Sequence, residues 1–171
     1  SLFEETVPNH LHSIYVYGSV LSGQTVPYQS DLDCVVLLTR DLETKPTTSS
    51  RIQAEILNRH PFIPKLDLTI ETLHTVRRKE NYHEWGCFLK HLCFCVQGRD
   101  VRKEFPLFKP SKEIVWGFHK NAKPAVKVQL EKLSSCENPH DIKNICRTIM
   151  RKIVRLAYGL VSLRDQSFTL D

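Results

Sequence analysis

Ser13-Ile14-Tyr15-Val16-Tyr17-Gly18-Ser19, then a gap, then Ser30-Asp31-Leu32-Asp33-Cys34-Val35-Val36-Leu37-Leu38 is the part of the chain that decides the fold. Ser13 to Tyr17 is β-branched and aromatic and stops at a glycine, the pattern of a short strand ending in a turn. Ser22 to Ser30 is polar and turn-forming, with Gly23 and Pro27, and reads as a loop. Asp31 to Leu38 is a second strand, whose apolar run suits burial on both faces.

Working outward, Thr39 to Thr48 is a polar connection, and Ser49 or Ser50 is placed to cap a helix over Arg51 to Arg59 that Pro61 ends. Lys65 to Glu71 alternates: Leu66, Leu68 and Ile70 point one way, Lys65, Asp67, Thr69 and Glu71 the other. That is a third, half-polar strand. A helix is expected from near Thr72 and another over Tyr82 to Val96, ending at Gly98. Pro106 and Pro110 mark a linker between a domain of residues 1–105 and one of 111–171. In the second, Ser111 caps a helix from Lys112 that is interrupted or restarted at Pro124 and continues to about Leu133. Asp141 caps a longer one, with Ile142, Ile145, Ile149, Ile153, Leu156 and Leu160 at helical spacing. The expectation is a small α/β (α+β) domain followed by a helical hairpin or partial bundle.

Composition sets bounds on what such a chain does. Its 171 residues suffice for one substantial core, or one core plus a helical appendage. With 41% hydrophobic and 25% charged residues it has the balance of a soluble globular protein. No apolar run approaches the roughly 20 residues that cross a bilayer. Ser1 to His12 carries Glu4 and Glu5 and no basic segment before a long apolar run, so it does not read as a signal peptide. A cytoplasmic protein without a membrane partner is expected. The net charge of +5 suits a polyanion such as a nucleotide without demanding DNA or RNA. Cys34, Cys87, Cys93, Cys95, Cys136 and Cys146 form no C-x-x-C pair, and their apolar neighbours favour buried reduced thiols over zinc ligands or disulfides.

The chemistry is expected around Gly18 to Asp33. Side chains at i and i+2 of a strand share a face, so Asp31 and Asp33 present two carboxylates together. Such anions repel unless cations neutralise them, and hard oxygen ligands suit Mg²⁺ or Mn²⁺. Gly18 permits a tight turn with close backbone approach, while the Ser19 hydroxyl and nearby N–H groups suit phosphate oxygens. Asp67 lies on the polar face of the third strand. If that strand neighbours the second, Asp31, Asp33 and Asp67 converge on a two-ion site for phosphoryl chemistry: one ion on a triphosphate, the other at an acceptor hydroxyl whose proton Asp67 accepts. Taken singly these residues are ordinary. An Asp-x-Asp pair at a strand edge is most often solvated turn chemistry, and only the ordered set carries the reading.

Gly18-Ser19, the eleven residues from Val20 to Ser30, and Ser30-Asp31-Leu32-Asp33 together resemble the signature of the DNA-polymerase-β-like nucleotidyltransferase superfamily. Leu66-Asp67-Leu68-Thr69 looks like that family's third acidic strand, and Gly98-Arg99-Asp100-Val101 like the segment that closes many of its domains. Within the superfamily the chain is most similar to the aminoglycoside adenylyltransferases that modify streptomycin and spectinomycin, where the third carboxylate is typically Glu, one methylene longer than Asp67. The resemblance implies a small mixed sheet flanked by helices, and transfer of a nucleoside monophosphate from ATP or another triphosphate to a hydroxyl. It also implies Gly18, Ser19 and Ser30 as nucleotide-binding positions. In the tail it makes Arg151 and Arg164 phosphate ligands, Arg164 standing where Lys is usual. The plainer reading of both, beside Arg147, Lys152 and Arg155, is a solvated basic helix face.

Three functions follow: transfer to a small, aminoglycoside-like molecule; transfer to protein or RNA, as by the antitoxin of a toxin pair; and a nucleotide-binding module without catalysis.

Overall fold

The computed structural model describes Phe3, Thr6, residues 9–42 and residues 45–167. The chain divides into two compact units, residues 1–107 and 108–171.

The first unit is built on a four-stranded mixed sheet. Strand β1 (Leu11–Tyr17) pairs antiparallel with β2 (Leu32–Leu38), and β2 pairs parallel with β3 (Leu66–Thr72). Helix α1 (Ser19–Ser22), a single turn, follows β1, and α2 (Lys45–Arg59) makes the crossover that a parallel pair requires. Thr72 caps α3 (Leu73–Arg77) by accepting the Thr75 N–H at 3.0 Å. A 3₁₀ turn (Lys79–Asn81) leads into α4 (Tyr82–Leu92).

At Cys93 the expected helix gives way to strand: Cys93–Gly98 is β4, antiparallel to β1, which sets the sheet order β3-β2-β1-β4. The physical reason lies in β1. Ser13, Ile14 and Tyr15 are buried at the sheet's centre, so the backbone of β1 needs partners on both sides. The alternating Cys93-Phe94-Cys95-Val96 supplies one.

Alternation sorts the sheet into two faces. Ile14, Val36 and Leu38 form one buried cluster with Phe3 and Ile52 of α2, edged by Leu68 and Ile70. Tyr15, Tyr17, Asp33, Val35, Leu37 and Asp67 occupy the opposite face by register. There Phe88 of α4 meets Tyr17 edge-on at 5.0 Å between ring centres.

The second unit is helical. Ser111 caps α5 (Lys112–His119), α6 spans Ala122–Ser134 with Pro124 in its first turn, and α7 spans Pro139–Asp165. The cap of α7 is Asn138, not Asp141: its side chain accepts the His140 N–H at 2.9 Å, and Pro139 fills the first helical position, where a missing N–H costs nothing. Helix α7 packs against α5 and α6. Its inward face carries Ile142, Ile145, Ile149 and Leu156, as the spacing predicts, but Ile153 and Leu160 are exposed. Other boundaries move slightly: α2 begins at Lys45, ahead of Ser49 and Ser50, and β2 at Leu32.

Three cysteines, Cys34, Cys87 and Cys93, are buried thiols; Cys95 and Cys136 are half-buried and Cys146 is exposed, and all six are free. Among the described residues no helix is long and apolar enough to cross a membrane.

Candidate active site

The C-terminal end of β1 and the N-terminal ends of β2 and β3 meet at one end of the sheet's strands. In the register, Tyr17 of β1 lies opposite Asp33 of β2, and Asp33 lies beside Asp67 of β3. Directly paired residues of neighbouring strands share a face, so the two carboxylates stand side by side. Asp31, two residues before Asp33, lies just outside the strand. The neighbouring of β2 and β3, on which convergence of the three acids depends, is thus present.

The turn after β1 is shaped around Asp33. Gly18 takes φ 73° and ψ −146°, a region essentially closed to other residues. A Cβ there would also collide with the Asp33 carboxylate. Ser19 opens α1, where its carbonyl accepts the Ser22 hydroxyl at 3.1 Å. The loop back to β2 is closed by Ser30, whose Oγ accepts the Val26 N–H at 2.9 Å and whose own N–H donates to the Val26 carbonyl. Ser30 therefore holds the entry to the Asp pair in shape. A further bond, Tyr28 N–H to the Phe62 carbonyl at 2.8 Å, ties this loop to the one before β3.

The electrostatics are those of crowded anions. Burial first, then the neighbouring Asp67 and Asp31 carboxylates, push the Asp33 carboxyl above its ordinary value, while Lys65 opposes the shift. The same crowding reaches Tyr17, whose hydroxyl is raised to about 12, chiefly by burial and next by Asp33 and Asp67. Lys65 was not singled out from sequence, although its spacing two residues before Asp67 had already placed both on one face. Its Nζ donates to Asp67 Oδ2 at 2.6 Å and lies 3.7 Å from Asp31 Oδ2. Lys65, Asp31 and Asp67 remain about half exposed.

Three carboxylates set against one ammonium are a donor set that suits a divalent cation, since hard oxygens and uncompensated negative charge are what such an ion requires. They are not yet a closed cage. Among the described residues no three carboxylate, imidazole or thiol side chains are gathered as a ready-made metal group, and Lys65 holds Asp67.

Arg151 and Arg164 lie on α7, in the second unit. Arg151 is exposed, and Arg164 donates to Asp165 at 2.7 Å on a largely exposed side chain. They stand 13 positions apart, about 140° around a helix of 100° per residue, so they do not share one face. An open cavity of about 530 Å³ beside Gly98, Arg99, Asp100, Lys103 and Glu104 is elsewhere: Gly98 pairs with Ser13, toward the end of β1 away from Tyr17.

The chain matches no known family model and no curated protein. Among solved structures it is similar to spectinomycin adenyltransferase AAD(9) from Enterococcus faecialis with ATP and spectinomycin, at 12% identity and a TM-score of 0.50, over 96% of this chain and 86% of that one. A toxin-antitoxin structure with AMP-PNP aligns at 16% identity and a TM-score of 0.44, over 74% of this chain and 90% of that one. The first likeness shows that this chain shares its fold with that protein.

Proposed function

We propose that the protein is a metal-dependent nucleotidyltransferase that moves a nucleoside monophosphate, AMP from ATP in the first instance, onto a hydroxyl group. The observation that carries this reading is the register pairing of Asp33 with Asp67, with Asp31 two residues upstream and the Gly18 turn folded over Asp33. Structural carboxylates are normally separated or individually paired. Setting Asp33 directly beside Asp67 at a glycine-only turn costs stability, and a divalent cation that also binds phosphate would offset that cost.

Asp31, Asp33 and Asp67 would hold Mg²⁺ or Mn²⁺, two ions in the full reading. When bound, these neutralise the polyphosphate and polarise the phosphorus that is attacked. The chain's own residues do the rest. Gly18 keeps the turn narrow enough for backbone N–H groups to approach the phosphates, and Ser19 adds a hydroxyl there. Ser30 fixes the loop from which Asp31 emerges. Asp67 accepts the proton of the acceptor hydroxyl as its oxygen bonds to the α-phosphorus and the bond to pyrophosphate breaks. Arg151 and Arg164 are carried only by the family resemblance. Both are proposed as phosphate ligands, and Arg151, with no carboxylate on its own helical turn, is the better of the two.

The acceptor we propose is a small polyhydroxylated molecule of the aminoglycoside kind, supported by the resemblance to that group and by the ATP- and spectinomycin-bound relative of the same fold. A cytoplasmic location fits the free thiols and the ATP requirement.

The test is calorimetric titration of ATP, CTP, GTP and UTP with and without Mg²⁺, on wild type and Asp33→Asn, followed by pyrophosphate release across an acceptor panel. Metal-dependent binding of one nucleotide, lost in the variant, is the expected result. Nucleotide bound equally well by Asp33→Asn would refute the site. Label passing from ATP to a protein or RNA, with no small molecule turned over, would replace the acceptor proposed.

A further inference from the structure

Lys65 stands at the carboxylates without a part in the chemistry above. It precedes β3 by one residue, and its carbonyl accepts the Leu32 N–H at 2.9 Å, so its backbone is fastened to the start of β2. Only its side chain is at liberty to move, and with 56% of that side chain exposed the ammonium has water to move into. Its Nζ holds Asp67 at 2.6 Å and reaches toward Asp31 at 3.7 Å, so one ammonium spans two of the three acids.

We propose that Lys65 is a built-in counter-cation: it quiets the carboxylates in the metal-free protein, competes with the divalent ion for Asp67 and Asp31, and so sets the metal concentration at which the site loads. This role rests on the metal site proposed above. Ammonium and metal ion exclude each other. A divalent cation held by Asp31 and Asp67 would take the place of the ammonium, because positive charges gathered at the same two carboxylates repel strongly. Exposed ion pairs are weak, so a doubly charged ion displaces this one readily while still working against it. Lysine suits such a role, since its compact charge on a flexible stem lets go, whereas a guanidinium would grip a carboxylate bidentately. Its spacing of two residues along one strand from Asp67 keeps the competitor at hand.

Mn²⁺ binding, measured without nucleotide from the electron paramagnetic signal of the free ion, separates the possibilities. The proteins compared are wild type, Lys65→Met, Lys65→Arg and Asp33→Asn. Lys65→Met is expected to bind Mn²⁺ about tenfold more tightly than wild type, which corresponds to about 1.4 kcal/mol, and Lys65→Arg no more tightly. In chelator Lys65→Met should melt below wild type, its acids having lost their counter-charge, and Mn²⁺ should raise its melting temperature by more than it raises that of wild type. Lys65→Gln is the second neutral variant, should Met disturb folding. If wild type binds Mn²⁺ and Asp33→Asn does not, yet Lys65→Met binds no tighter than wild type or melts no lower in chelator, the competition is wrong and the metal site stands. If Asp33→Asn binds as wild type does, or neither wild type nor Lys65→Met binds, the metal site falls and the competition with it.

Discussion

At Gly18 the backbone conformation and the neighbouring carboxylate impose the same requirement by separate routes. The left-handed φ of 73° strains any side chain, and the Asp33 carboxylate fills the space a Cβ would need. Gly18→Ala is therefore expected to destabilise the protein by about 1–3 kcal/mol and to weaken nucleotide binding together with it; thermal melting and nucleotide titration on the same sample check both. Asp33 supplies a prediction in the opposite direction. Its carboxyl is raised above the ordinary carboxylate value, mainly by burial and then by Asp67 and Asp31. A raised acid means the folded state holds its proton more tightly than the unfolded chain. Its contribution to stability is thus full below the unfolded value and is lost as pH rises through the folded one. Metal-free Asp33→Asn should accordingly melt above wild type at neutral pH, with the gap closing as the pH falls below the ordinary carboxylate range. Melting curves in chelator from about pH 3 to 8 read this directly, and a gap that widens toward low pH would contradict it.

Among the elements, β4 is the one that assembles the unit in a way the chain's order does not suggest. After Gly98, at φ 85° and pressed against the backbone of His12 and Ser13, the chain turns into a 3₁₀ segment, Val101–Glu104. There the buried Tyr15 hydroxyl accepts the Val101 N–H at 2.8 Å. Asp100 caps the segment through the Arg102 N–H and also grips the Arg102 guanidinium, which holds its carboxyl below the ordinary value. The Gly98-Arg99-Asp100-Val101 stretch thus serves as a clasp on the central strand. Tyr15→Phe leaves the buried Val101 N–H without its acceptor, and a loss of about 1–3 kcal/mol is expected, measured by thermal unfolding. In the helical unit a Cβ at Gly159 of α7 would press on Val115 and His119 of α5. Gly159→Leu should force those helices apart at a cost of about 1–3 kcal/mol; a melting temperature equal to wild type would show that the contact yields.

For the whole molecule the relevant quantity is charge. A net +5 coexists with neighbouring carboxylates at one end of the sheet, so the long-range field favours a polyanion while the short-range field at Asp33 is that of nearby anions. Nucleotide affinity is expected to fall as salt rises, because the long-range part is screened over about 10 Å at 0.1 M. Arg151→Ala should flatten that dependence and raise the nucleotide concentration required, if this arginine meets phosphate. Affinity at a series of NaCl concentrations, for wild type and variant, provides the measurement, and an unchanged slope returns Arg151 to a solvated helix face.

The sequence by itself determined the parts of this protein that depend on near neighbours. The strand from Ser13 to Tyr17, the Gly18 turn and the apolar strand after Asp31 follow from residue type, and the alternating strand around Asp67 from side-chain spacing, because a two-residue period fixes which residues share a face. The cap at Ser111 was legible too, because a serine hydroxyl just ahead of a helical run can accept one of its first free N–H groups, whereas the cap at Thr72 was seen only in the structure. Only the tertiary structure decided what lies beside what. That β2 and β3 are parallel neighbours brings Asp33 and Asp67 together, and no local pattern encodes it. Cys93 to Gly98 continued a plausible helix until the unmet backbone of β1 drew it into the sheet, an energy that belongs to the pair of strands and not to either. The exposure of Ile153 and Leu160 depends likewise on where α5 and α6 pack against α7. Lys65 combines both levels: spacing put it on the face of Asp67, but only the fold gave its ammonium two carboxylates to hold.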